Sequence, residues 1–146
     1  MESYAIDNLS VIQQEYIETI YMLCRNHEHA HTKDIADKLN VKMPSVVDAL
    51  QSLAKMEMIN YETRQPVTLT QNGQEIAVTL NARHKALADF FNNVLGFDKE
   101  YSDKTACSLE HVIDEKLKSR ICAFNSFLKN DEASLNIVNK FKDKTF

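Results

Sequence analysis

Cys107-Ser108-Leu109-Glu110-His111 puts a thiol, a carboxylate and an imidazole within five residues. On a helix, positions three and four apart share a face, so Cys107, Glu110 and His111 would project together. Soft sulfur with nitrogen and oxygen suits a divalent transition ion, whereas calcium prefers an all-oxygen shell. Glu15 and Glu18 are also three apart on one helical segment, and His84 falls within Ala82-Arg83-His84-Lys85 of another. Read singly, these last three fit a solvated acidic face and a surface or half-buried histidine better than ligands. His27-Glu28-His29-Ala30-His31 looks like a further metal tract, but it lies in a polar connection, where alternating histidines on a mobile loop chelate poorly. It is not expected to hold an ion.

The elements that must carry these residues follow from apolar spacing. Leu9 to Cys24 reads as a helix, with Ile12, Tyr16 and Ile20 as its buried stripe. Thr32 opens a second helix as its cap, with Ile35, Ala36 and Leu39 buried. After the tight connection Asn40-Val41-Lys42-Met43, Pro44 introduces a third helix, Ser45 to Met56. Two short helices about a four-residue turn form a helix-turn-helix. Ile59–Thr63 and Val67–Thr70 then alternate as a β-hairpin around Arg64-Gln65-Pro66. Helix, helix-turn-helix, hairpin is the order of a winged helix. Thr70 caps a long helix from Gln71 to Leu95, which Gly96 stops. Helices Asp103–Val112 and Asp114–Lys129 follow, and the tail beyond Asn130 has apolar residues for one more.

The expected fold is therefore mainly α: a winged helix-turn-helix over residues 1–75, then a helical metal-binding and dimerisation domain over 76–146. Two glycines and two prolines in 146 residues are too few for the turns of a sandwich or barrel. Three cysteines, Cys24, Cys107 and Cys122, lack the pairing of a disulfide framework, and each is expected as a buried thiol or a ligand. No apolar run is long enough to span a membrane, and the first residues lack the pattern of a secretion signal, so a cytoplasmic protein is expected. Residues 1–75 carry six Lys/Arg against eleven Asp/Glu, a net of −5, and residues 76–146 carry eleven against ten, a net of +1. A DNA-reading half that is acidic needs added positive charge before it meets phosphate.

Several runs resemble the diphtheria-toxin-repressor family of iron- and manganese-dependent regulators. They are Gln14-Glu15-Tyr16-Ile17-Glu18-Thr19-Ile20-Tyr21, Asp34-Ile35-Ala36 with Pro44-Ser45-Val46, Val67-Thr68-Leu69-Thr70-Gln71-Asn72-Gly73, Arg83-His84, Leu95-Gly96 and Ala106 to His111. Their order and spacing match over about residues 9–125. The resemblance implies metal ligation by Glu15, Glu18, His84, Cys107, Glu110 and His111. It also implies a homodimer that binds double-stranded operator DNA when loaded with Mn²⁺ or Fe²⁺, with Zn²⁺ a lesser candidate, and that represses metal-homeostasis genes. Manganese-type members tend to carry an acidic residue at the position of Cys107, and iron-type members a methionine at that of Glu15, so this site is a hybrid. Ala88 replaces a carboxylate present in many relatives. The chain also ends before the SH3-like domain of longer ones, so the short form is expected.

For DNA, the expected contacts are Lys33, Lys42, Ser45, Val47 and Asp48 around the third helix and Arg64 on the wing. Asp48 suits only a cytosine amino group and fits a plain surface charge better. The alternative to metal control is a winged-helix regulator governed by a small molecule or by thiol oxidation at Cys107. An enzyme is not expected: there is no glycine-rich phosphate loop, no His-Glu-x-x-His helix and no nucleophile motif.

Overall fold

In the computed structural model, residues 6–144 are described. The initial residues 1–5, part of the stretch read as lacking a secretion signal, lie outside them. The chain divides into two compact units, Met1–Leu80 and Asn81–Phe146. Among the described residues, no helix is long and apolar enough to cross a membrane.

In the first unit, a 3-10 turn at Ile6–Asn8 leads into α1, Val11–His27. Ser10 caps α1 by accepting from the Gln13 backbone N–H, and the Gln13 side chain accepts from the Ser10 N–H, a reciprocal capping box. The helix runs three residues past Cys24. Glu28 then turns left-handed at φ 64°, and its N–H closes on Cys24 O at 2.8 Å. The buried stripe is Tyr16, Ile17 and Ile20; Ile12, expected inside, is 64% exposed. It sits in the first turn, beside the exposed Val11.

Helices α2, Thr32–Leu39, and α3, Met43–Lys55, form the helix-turn-helix. The cap position of α2 is His31, without a side-chain bond, and Thr32 is already helical. Asn40 turns left-handed at φ 53° and ends α2, and Pro44 stands in the first turn of α3, where its missing N–H costs nothing. Ile35, Val46, Leu50 and Leu53 from these helices join Ile17, Ile20, Met58 and Leu80 in one core, each with essentially no exposed surface. Each such side chain contributes about 1.5–3 kcal/mol by leaving water.

The hairpin is shorter than alternation predicts. Strands β1, Ile59–Asn60, and β2, Thr68–Leu69, pair antiparallel as Ile59 with Leu69 and Asn60 with Thr68. Val67 cannot extend the ladder towards Tyr61, because its backbone pairs with Ala30: Val67 N–H donates at 2.7 Å and Ala30 N–H donates back at 2.9 Å. Arg64 takes a left-handed φ of 67° in the turn. Thr70 caps α4, Gln71–Asp89, by accepting from the Gly73 N–H at 3.2 Å.

From Asn81 onward α4 belongs to the second unit. The long helix does not stay α-helical to Leu95: Phe90–Val94 form a π-helical turn, and Leu95 N–H donates to Phe90 O at 3.1 Å. Gly96, at φ +80°, is the expected left-handed stop. Helix α5 spans Lys99–Leu109, four residues earlier at its start than expected. Its cap is Asp98, whose carboxylate accepts from Tyr101 N–H at 2.8 Å, and this stronger start displaces Asp103 into the interior. Helix α6, Glu115–Asn130, is capped by Asp114, and α7, Glu132–Lys142, by Asp131. Leu87, Ala106 and Ile113 form the small core of this unit, flanked by Ala88, Phe91 and Ile121.

Candidate metal centre

In the second unit, α4 carries His84 and the end of α5 carries Cys107 and Glu110. The Nδ1 of His84 lies 2.7 Å from Glu110 Oε2 and 3.7 Å from Cys107 Sγ. One donor atom from each of His84, Cys107 and Glu110 falls within 4.8 Å of the others. Helix α5 stops at Leu109, yet Glu110 N–H still donates to Ala106 O at 2.9 Å, so Cys107 and Glu110 keep the expected spacing on one face. Glu110 is the C-terminal cap, still in right-handed geometry at φ −59°, and His111 lies in the turn beyond it. Glu110 Oε1 also lies 3.6 Å from His111 Nε2.

The Glu110 side chain is only 3% exposed, and a buried carboxylate needs partners or an ion. Its hydrogen bond to His84 raises the imidazole above the ordinary histidine range against the opposing effect of burial, and the charges of Glu110 and Asp103 add to the rise. Asp103 Oδ1 stands 3.6 Å from His84 Nε2. The sequence reading missed Asp103, although it precedes Cys107 by four residues and so shares its helix face. A carboxylate on the far nitrogen is what orients a ligating imidazole and fixes its tautomer. The set of thiol, imidazole and buried carboxylate, with a carboxylate behind the imidazole, fits a divalent transition ion. His84, Cys107 and Glu110 are the residues of this unit that can hold it, with His111 beside them.

Glu15 and Glu18 stand on α1 in the first unit, Glu15 exposed and Glu18 half-buried. Of the DNA candidates, Lys33, Lys42, Ser45, Asp48 and Arg64 are exposed and Val47 is half-buried. Ser45 and Asp48 share the outer face of α3, three residues apart. Cys24 is a packed thiol: its Sγ lies 3.7 Å from Val67 O, and burial raises its pKa. Cys122 is exposed on α6, which corrects the expectation of a buried thiol or ligand. No disulfide joins the cysteines among the described residues.

Comparison with known proteins agrees with this arrangement. Residues 8–67 match the family model described as the iron dependent repressor, N-terminal DNA binding domain. Residues 70–139 match the iron dependent repressor, metal binding and dimerisation domain. An uncharacterised HTH-type transcriptional regulator of Methanocaldococcus jannaschii is 30% identical over 132 residues, covering 90% of this chain and 95% of its own. The HTH-type transcriptional regulator MntR of Bacillus subtilis is 31% identical over 132 residues, covering 90% and 92%. Among solved structures, T. acidophilum IdeR has a TM-score of 0.72 at 26% identity, covering 81% of this chain and 55% of that one. A manganese-dependent transcriptional repressor in complex with manganese has a TM-score of 0.68 at 27% identity, covering 79% and 53%. This chain thus spans about half the length of those solved chains and nearly all of the curated relatives. Those relatives are transcriptional regulators, not enzymes. With a DNA-binding unit, a transition-metal donor set and both family domains in order, the chain belongs to the diphtheria-toxin-repressor family of metal-dependent transcriptional regulators.

Proposed function

We propose that this chain is a cytoplasmic homodimer that represses metal-homeostasis genes, binding a pseudo-palindromic operator when loaded with Mn²⁺ or Fe²⁺. The observation that carries the metal reading is the convergence of His84, Cys107 and Glu110 donor atoms within 4.8 Å. His111 and the α1 carboxylates Glu15 and Glu18 complete the proposed ligand set. A bound divalent ion supplies positive charge and a tie between the DNA-reading helices and the dimer core. Without it, Glu15 and Glu18 repel one another, in a half of the chain that already carries a net −5. The thiolate of Cys107 favours softer ions and the three carboxylates harder ones, so Fe²⁺ and Mn²⁺ both fit the donors and Zn²⁺ is the next candidate.

Lys33, Lys42 and Arg64 would meet phosphates, Ser45 a phosphate or base edge, and Val47 and Asp48 the groove beside it. Dimerisation is supported by the apolar side chains that the second unit leaves exposed, among them Val112 (70%), Phe127 (57%) and Ile137 (68%).

The test is anaerobic fluorescence anisotropy on a labelled fragment of the gene's own upstream region, in chelator and with Mn²⁺, Fe²⁺ or Zn²⁺. Metal should tighten binding tenfold or more, a coupling of about 1.4 kcal/mol, and His111→Ala should abolish that response. Tight binding in chelator, indifferent to ion and substitution, would overturn metal control and leave oxidation of Cys107 or a small effector as the signal.

A further inference from the structure

His29 and His31 lie in the connection from α1 to α2, far along the chain from His84, Cys107 and Glu110. Their Nε2 atoms are 3.2 Å apart, and their rings meet edge to face with centroids 4.8 Å apart. The sequence treats this stretch as a loose loop, but it is pinned. Ala30, 1% exposed, exchanges two backbone hydrogen bonds with Val67 on the return limb of the wing, at 2.9 and 2.7 Å. His31 is extended, at φ −95° and ψ 143°. In an extended stretch, residues two apart point to the same side, so the bridge at Ala30 holds both imidazoles on one face.

The spacing is that of a chelate. Two imidazole nitrogens on one tetrahedral ion, at bonds of about 2.0–2.1 Å, stand about 3.3 Å apart. The 3.2 Å separation matches the distance between two nitrogens bound to one ion. His31 is exposed and His29 half-buried, so water can fill the remaining positions.

We infer that His29 and His31 form a second metal site, in the DNA-binding unit, for borderline divalent ions that favour imidazole, namely Zn²⁺, Cu²⁺ or Ni²⁺. The site shares no ligand with His84, Cys107 and Glu110 and does not depend on that centre's role. An ion there ties His31, the residue that opens α2, to the segment bonded to the wing, and so stiffens the junction between helix-turn-helix and wing.

The experiment uses the full chain with Zn²⁺ as probe. Long-range ¹H–¹⁵N spectra of the imidazoles should show the Nε2 signals of His29 and His31 moving together at one equivalence point. The same pair should respond in His84→Ala, where the first centre is damaged. Equilibrium dialysis of the double variant His29→Gln/His31→Gln should lose one Zn²⁺ equivalent per chain, or bind that equivalent at least tenfold more weakly. Movement of only one ring, or unchanged stoichiometry in the folded double variant, would mean a hydrogen-bonded histidine pair only and overturn the site. The native-chain spectra decide the matter even where the double variant folds poorly.

Discussion

Between His84 Nδ1 and Glu110 Oε2 there are 2.7 Å, and in the metal-free chain a proton occupies that gap. The shift of His84 above its ordinary value follows first from this bond and only then from the charges of Glu110 and Asp103. The folded pKa exceeds that of the unfolded chain, about 6.5, so the pair stabilises the metal-free protein fully below that value. The stabilisation is lost as pH rises through the folded pKa. Metal affinity runs the other way, because ligation needs the unprotonated ring and the ion must displace the proton. In chelator, the melting temperature should therefore fall across this window while the affinity for Mn²⁺ or Zn²⁺ climbs. Glu110→Gln should lower the His84 pKa, read from its ring signals by NMR, and flatten the stability trend. A His84 that titrates at or below the ordinary histidine value in the native metal-free chain would refute the proton-for-metal exchange.

Elements are placed by a few close approaches, and Gly73 makes one of them. A Cβ there would lie 2.0 Å from Met58 O, the carbonyl that accepts from Thr70 N–H at 3.1 Å where β2 passes into α4. Alanine gains up to about 1 kcal/mol of helix propensity over glycine, whereas overpacking against a fixed atom costs about 1–3 kcal/mol. The colliding atom is backbone, so the overlap wins. Gly73→Ala should lower the melting temperature by about 5 °C or more, read by circular dichroism. At Gly96 the neighbour is only the flexible Lys142 side chain, at 2.9 Å, and the penalty comes from its φ of +80°. Gly96→Ala should cost about 1–2 kcal/mol, and its failure to perturb the melt at all would contradict the left-handed stop. These positions also mark how far the sequence could be read. Pro44, Thr70 and Gly96 announce element ends because each acts within its own turn. Cys107, Glu110 and His111 are visible as a motif because they are neighbours in sequence. Asp103 is hidden by a helix start placed too late, since Asp98 and Asp103 are equally good caps on paper and only the bond from Tyr101 N–H distinguishes them. The histidine tract is visible but its pinning is not, because the bridge that orders it joins Ala30 to Val67, and no local pattern encodes a contact of that span.

Charge is a property of the molecule as a whole, and here it sets what DNA binding can look like. The first 75 residues have only six Lys/Arg, all exposed, and the three expected at DNA are Lys33 on α2, Lys42 at the cap of α3 and Arg64 on the hairpin turn. If those three meet phosphates in each half of a dimer, six contacts give a slope of log affinity against log salt of about −5. That is shallow for an operator-binding dimer, and it leaves most of the discrimination to the fit of α3 in the groove. Arg64→Gln removes two of the six contacts and should reduce the slope by about two, with little change in preference among operator variants. Ser45→Ala should instead weaken binding with the slope nearly unchanged if Ser45 meets a base edge, since it carries no charge. Anisotropy titrations at several salt concentrations, with metal saturating, separate these outcomes. An unaltered slope in Arg64→Gln would remove the wing from the DNA contact and confine recognition to the helix-turn-helix.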